Sequence, residues 1–267
     1  MMTFCAALNV RKFVWGLAAA LSLSAPAFAD LTIPGGGSFD LAGGTMDLGC
    51  TDVSVAGNLT LGAGTLINVR NFTVLAGGSV NAGSGQISLA GNWANSGSFA
   101  AGTSSVKFVD APACAAASTI SGNTSFYALS FVSTIGKIYS FAVGSTQRIA
   151  YLLTITGTSA TPIQLRSTSA GGSANIELTG QQLMSELAVN DLVATGVWLA
   201  PYLVNRSTTS STVRWFGEPD YARIPTLNSA MLALLMLLLG LATVFGSGAR
   251  RLSNPRSRPS PSKDFHV

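Results

Sequence analysis

The sequence predicts an all-β protein: a parallel β-helix of about 20-residue coils, three short strands to each coil. Three observations predict it. From Leu31 to Asp110 short apolar groups alternate with Gly, Ser, Thr and Asn, as in "GGSVNAGSGQISLAGNWANSGSFAAGTSSVKF". Triplets this closely spaced, with Gly among them, do not make helices. Apolar residues also recur at a single period in three independent series. Ile33, Val53, Phe72 and Trp93 step by 20, 19 and 21. Phe39, Leu59, Val80 and Phe99 step by 20, 21 and 19, and Met46, Ile67, Ile87 and Val106 by 21, 20 and 19. Finally, Gly and Asn gather between the triplets, at "AGG", "GAG", "GGS" and "GSG", where corners need positive φ. A coil with three inward positions, stacked on its neighbours at about 4.8 Å, meets all three conditions. The alternative is an antiparallel sandwich of many short strands, which does not ordinarily keep three registers in phase over successive coils.

Taken in order, residues 1–29 read as a secretory signal peptide. Arg11 and Lys12 form its basic region, Phe13 to Leu23 its apolar region, and Pro26 precedes an Ala27-Phe28-Ala29 cleavage box. Cleavage after Ala29 would leave Asp30 first. Regular coils occupy 30–110. "DAPACAAAST" then breaks the beat, and β-rich text resumes over 111–204. An inward set of Phe131, Phe141, Ile149, Ile155, Ile163, Ile176 and Val189 predicts wider coils there. Residues 205–223 read as a polar stem in which Trp215 and Phe216 plug the open end of the stack. From 224 to 251 runs a low-polarity segment closed by Arg250 and Arg251, long enough for a membrane-spanning helix. The tail 252–267 is Pro, Ser and Arg rich and reads as disordered.

Composition narrows the function. The chain has 267 residues, only 10% of them charged, and 29 glycines. Its formal charge of +4 lies at the two ends. Between Asp30 and Arg223 eight basic residues stand against ten acidic ones, so the body is near neutral. Nucleic acid is therefore not an expected partner. With the body exported, Arg250 and Arg251 would act as a topology stop on the cytoplasmic side. Cys50 and Cys114 lie about three coils apart, about 14 Å along the axis. A disulfide needs Cα atoms within about 7 Å, so free thiols are expected.

Catalytic patterns are weak. The sole histidine is His266, which leaves no Ser–His arrangement in the body and no metal site. Asp40 and Asp47 are the nearest pair of carboxylates for glycoside chemistry, but no acid recurs one coil later. Arg70, Lys107 and Arg166 stand without an acidic cluster, and "GAGTL" and "GSGQIS" lack the lysine of a phosphate loop. The reading is a non-enzyme without cofactors.

"IPTL" at Ile224, Pro225, Thr226 and Leu227, followed by an apolar span and the arginine pair, resembles the IPTL-type carboxyl-terminal sorting signals of Gram-negative surface proteins. The resemblance implies an exosortase-like sorting peptidase and the lipid bilayer as partners. It also implies a precursor held in the membrane with its body outside the cytoplasm, and a mature form at the envelope or surface. Here Asn228, Ser229 and Ala230 replace the family's usual Ser-Glu-Trp. The body, with "GNLTLGAGTL" and "AVGSTQRIAYLLTITGTSATPIQLRSTSAGG", is similar to the repeats of secreted adhesin-like β-helix proteins, with surface glycans or matrix as candidate partners. The expected function is an exported structural or adhesin-like protein; the alternative is a carbohydrate-binding or polysaccharide-processing β-helix.

Overall fold

In the computed structural model the described residues are 29–209, 211–217 and 236. The chain divides into two compact units, Met1–Glu218 and Pro219–Val267. The first is an all-β solenoid in which every ladder between named strands is parallel. The three-residue strands Ser38–Asp40, Asn58–Thr60, Ser79–Asn81 and Ser98–Ala100 are short because a glycine corner follows each, at Gly43, Gly62, Gly83 and Gly102.

Three faces wind around one core. Leu31–Ile33 begins the first face, Ser38–Asp40 the second and Thr45–Val55 the third. Thr45–Val55 and Thr65–Val74 are long because each bends from the third face into the next coil's first face without a break. On the second face Phe39, Leu59, Val80 and Phe99 stack in register, as their period predicts. Like side chains meet inside. Phe72 and Trp93 stack with centroids 4.8 Å apart, and Phe108 and Phe131 at 5.0 Å. The Trp93 indole donates to Thr124 Oγ1 at 3.0 Å, which satisfies the one polar atom of a fully buried ring.

Two ladders differ in detail from the expected ones. Leu31, not Ile33, pairs with Val53, and Ile33 pairs with Val55. The ladder between Thr45–Val55 and Thr65–Val74 is irregular around Thr51, where Gly49 and Cys50 adopt positive φ. Leu66, not Ile67, occupies the inward position between Met46 and Ile87. Period alone cannot choose between two adjacent apolar residues; the alternation of the strand does.

Beyond Asp110 the stack continues. Ser105 pairs with Ala128, Ala128 with Leu152 and Leu152 with Gln181, steps of 23, 24 and 29 residues. Phe131, Phe141, Ile149, Ile155, Ile163, Ile176 and Val189 are all buried. At the far end Val213 bridges Val193 and Trp215 bridges Leu199, with Trp215 buried over the last coil.

Two expectations need correction. Cys50 and Cys114 form a disulfide with Cα atoms 5.5 Å apart. The axial arithmetic presumed that Cys114 sits on a coil, but it lies in the turn after Asp110, outside the strands, and this turn reaches back to Cys50. The second concerns the membrane. Among the described residues no helix is long and apolar enough to cross one. Most of their large apolar side chains point inward from strands into the solenoid core. The transmembrane helix is therefore no part of the fold described, and the segment 224–251 on which it was expected lies, Met236 apart, outside the described residues. With it go the lipid bilayer as partner, the membrane-anchored precursor and the localisation inferred from that anchor. Ala27, Ile224, Pro225, Thr226, Leu227, Arg250 and Arg251 lie outside the described residues.

Candidate functional site

One outward column runs the length of the first face: Asp30, Asp52, Asn71, Asn92, Thr119, Ser140, Arg166 and Asn190. Its lower half is consumed by the fold. Oxygens of Asp30, Asp52, Asn71 and Asn92 each accept the backbone N–H of the residue one coil above, at 2.8–3.2 Å. Such a ladder ties each coil to the next and leaves few free acceptors. Arg70 closes it with two bonds to Asp52, at 2.8 and 2.9 Å, so Arg70 is not the isolated cation its sequence neighbours suggest. The Arg70 guanidinium holds the Asp52 carboxyl below its usual range against the opposing effect of burial, with lesser help from the Asn71 amide and N–H.

Above Thr119 the column changes character. Thr119, Ser140, Arg166 and Asn190 line a groove of about 530 Å³, together with Thr168, Asp191 and Thr209. Arg166 Nε donates to Ser140 Oγ at 3.2 Å, which lays the guanidinium along the column. Asp191 Oδ2 accepts only a long bond, 3.4 Å, from Gly171 N–H. The Asn190 amide is held by the Ser207 hydroxyl. Ion pairs among the described residues join Arg70 to Asp52, Arg148 to Glu177 and Arg206 to Glu186. Arg166 and Asp191 belong to none of them; Arg166 is exposed and Asp191 half-buried. In the groove wall the buried Ser167 hydroxyl has no hydrogen-bond partner.

The other polar residues singled out in the sequence serve the scaffold. Asp40 accepts the Ala42 N–H at 2.8 Å and Asp47 the Gly49 N–H at 2.9 Å, so each carboxylate closes its own turn. The Gly49 N–H, then the Asn68 amide, lower the Asp47 pKa. The Ala29 carbonyl accepts from Thr51 Oγ1 at 3.2 Å. Among the described residues no group of three His, Cys, Asp or Glu could hold a metal ion.

Sequence reasoning missed the column. Its lower half carries a signal, since Asp30, Asp52, Asn71 and Asn92 keep steps of 22, 19 and 21. The groove carries none, because Thr119, Ser140, Arg166 and Asn190 share neither spacing nor residue type. No family model, curated protein or solved structure matches the chain.

Proposed function

We propose that this protein is a carbohydrate-binding β-solenoid that lays an extended polysaccharide across the upper first face. The groove lining carries this reading: three threonines, two serines, an asparagine, and Arg166 and Asp191, neither in an ion pair, in one trough. Its volume falls within the roughly 300–1,000 Å³ range of ligand sites. Hydroxyl, amide and guanidinium groups are the donors and acceptors that bind vicinal sugar hydroxyls. The rungs lie about 4.8 Å apart, so these groups repeat on the scale of successive sugar rings. Arg166 and Asp191 would donate to and accept from the same chain, while the solenoid supplies a rigid frame that pays little ordering entropy. The role is binding, without catalysis.

A glycan array probed with the intact protein tests this. Wild type should bind a family of linear polysaccharides, and Arg166→Ala should lose roughly tenfold or more in affinity with an unchanged circular dichroism spectrum. An array on which wild type binds nothing would sink the reading.

A structural or adhesin-like rod is the second reading, supported by the repeated Ser and Thr positions of the outer faces, such as Ser54 and Thr73 in register. The likeness of Ile224, Pro225, Thr226 and Leu227 to sorting signals adds a processing hypothesis. Replacing those four residues should change the C-terminus of the mature protein, as intact mass would read.

A further inference from the structure

The corner between the second and third faces changes along the stack. In the lower coils it is a glycine turn: Gly43, Gly62, Gly83 and Gly102, all at positive φ. In the next coil the strand Thr124–Val132 runs through the corner without a turn, and Tyr127 takes the corner position. The coil above places Ala150 and Tyr151 opposite that one residue, a bulge marked by the register shift between Phe126 and Ala128. The bulge turns Tyr151 onto Tyr127, with ring centroids 4.8 Å apart and planes at 11°. These rings are outside the core, and Tyr151 is 48% exposed.

On the coil above Tyr151 the column stops at Gly180. A Cβ there would lie 2.0 Å from the Tyr151 carbonyl oxygen, so the backbone approach admits no other residue. No side chain from this position can cover the upper face of Tyr151. Ser125, Arg148, Glu177 and Thr179 line a recess of about 220 Å³ that extends to Ala150, the residue before Tyr151 in the chain. Arg148 Nε and Glu177 Oε2 are 3.0 Å apart, which fixes both groups in place at the surface.

We infer that this corner is a second ligand site, separate from the first-face groove, where one pyranose ring of a β-linked glycan stacks on Tyr151 at the level of Gly180. An aromatic face recognises the C–H side of a flat sugar ring, and the ring's equatorial hydroxyls then reach Arg148, Glu177 and Ser125 at its rim. A recess smaller than the roughly 300 Å³ of a drug-sized site suits a single ring. The rim of hydroxyls and an ion pair, with no deep apolar pocket, favours a sugar over an aromatic side chain of a partner protein.

Isothermal titration with cellohexaose, chitohexaose and, as the α-linked comparator, maltohexaose reads the site directly. At least one β-linked hexamer should bind more tightly than maltohexaose. Tyr151→Ala should weaken that binding roughly tenfold or more, whereas Tyr151→Phe, which keeps the ring, should stay within about twofold. Arg166→Ala, in the groove, should leave this binding in place. Equal affinity in wild type and Tyr151→Ala overturns the inference, as does wild type that binds neither β-linked hexamer. Loss in Arg166→Ala alone also overturns it while sparing the groove; loss in Tyr151→Ala alone supports it and leaves the groove to its own test on the glycan array.

Discussion

Lys137 is a cationic side chain buried in the solenoid. Its side chain enters the stack at the corner behind Asp110, donating to the Ala90 carbonyl and, at 3.1 Å, to the Val109 carbonyl, with the Tyr139 ring 5.6 Å away. It is 2% exposed. Burial pushes its pKa down to about 8, with the Asp110 charge only partly opposing. The unfolded lysine titrates near 10.5, so between those values the unfolded state binds more protons than the folded one. Stability should therefore rise from pH 8 to 10, by on the order of 2 kcal/mol. Burial raises the Tyr139 phenol, whose hydroxyl has no partner, so stability falls again above the unfolded tyrosine value of 10.0. Urea melts across pH 7–11 should show this maximum, and Lys137→Met should lose the rising limb. A flat profile in wild type would show that Lys137 does not change charge there. The disulfide makes a second prediction. Cys50 and Cys114 close a loop with a sequence separation of 64, for which chain entropy gives about 4 kcal/mol. Alkylation without reduction should label neither cysteine, and Cys114→Ala should lower stability by roughly 2–4 kcal/mol.

At the scale of the strand, the inward residue of each triplet decides folding and its neighbour does not. Leu59 and Phe72 are buried with like residues above and below. Leu59→Asp or Phe72→Asp places an unpaired charge in that column and should prevent folding. Ser79, on a strand whose inward residue is Val80, is only part-buried. Ser79→Asp should shift the urea midpoint very little, within about 0.5 kcal/mol. Equal damage from all three would show that the register is wrong. Of the four strands of the second face in the lower coils, those of Phe39, Leu59 and Val80 were legible for this reason: one apolar residue stands between polar neighbours, so the period has one solution. On the third face "LI" at Leu66 and Ile67 offers two. Only the pairing Met46–Leu66–Ile87 resolves it, because a strand turns successive side chains to opposite sides.

For the whole molecule, the all-β parallel stack was determined by sequence alone, because each coil buries its inner face only against its neighbours and so repeats its pattern in the chain. Composition likewise settled that the body is near neutral. Tertiary structure decided everything that depends on which coils meet across a turn. The turn holding Cys114 folds back along the corner to Cys50, a path that axial spacing could not show. Arg70 finds Asp52 because they are neighbours across coils, 18 residues apart in the chain. The groove gathers Thr119, Ser140, Arg166 and Asn190 because coil lengths of 21, 26 and 24 residues still bring each to the same outward position. Inward positions repeat because packing punishes a change of residue class. Outward positions carry no such penalty, so a binding surface on a solenoid leaves no period to read, and only the folded register brings its members together.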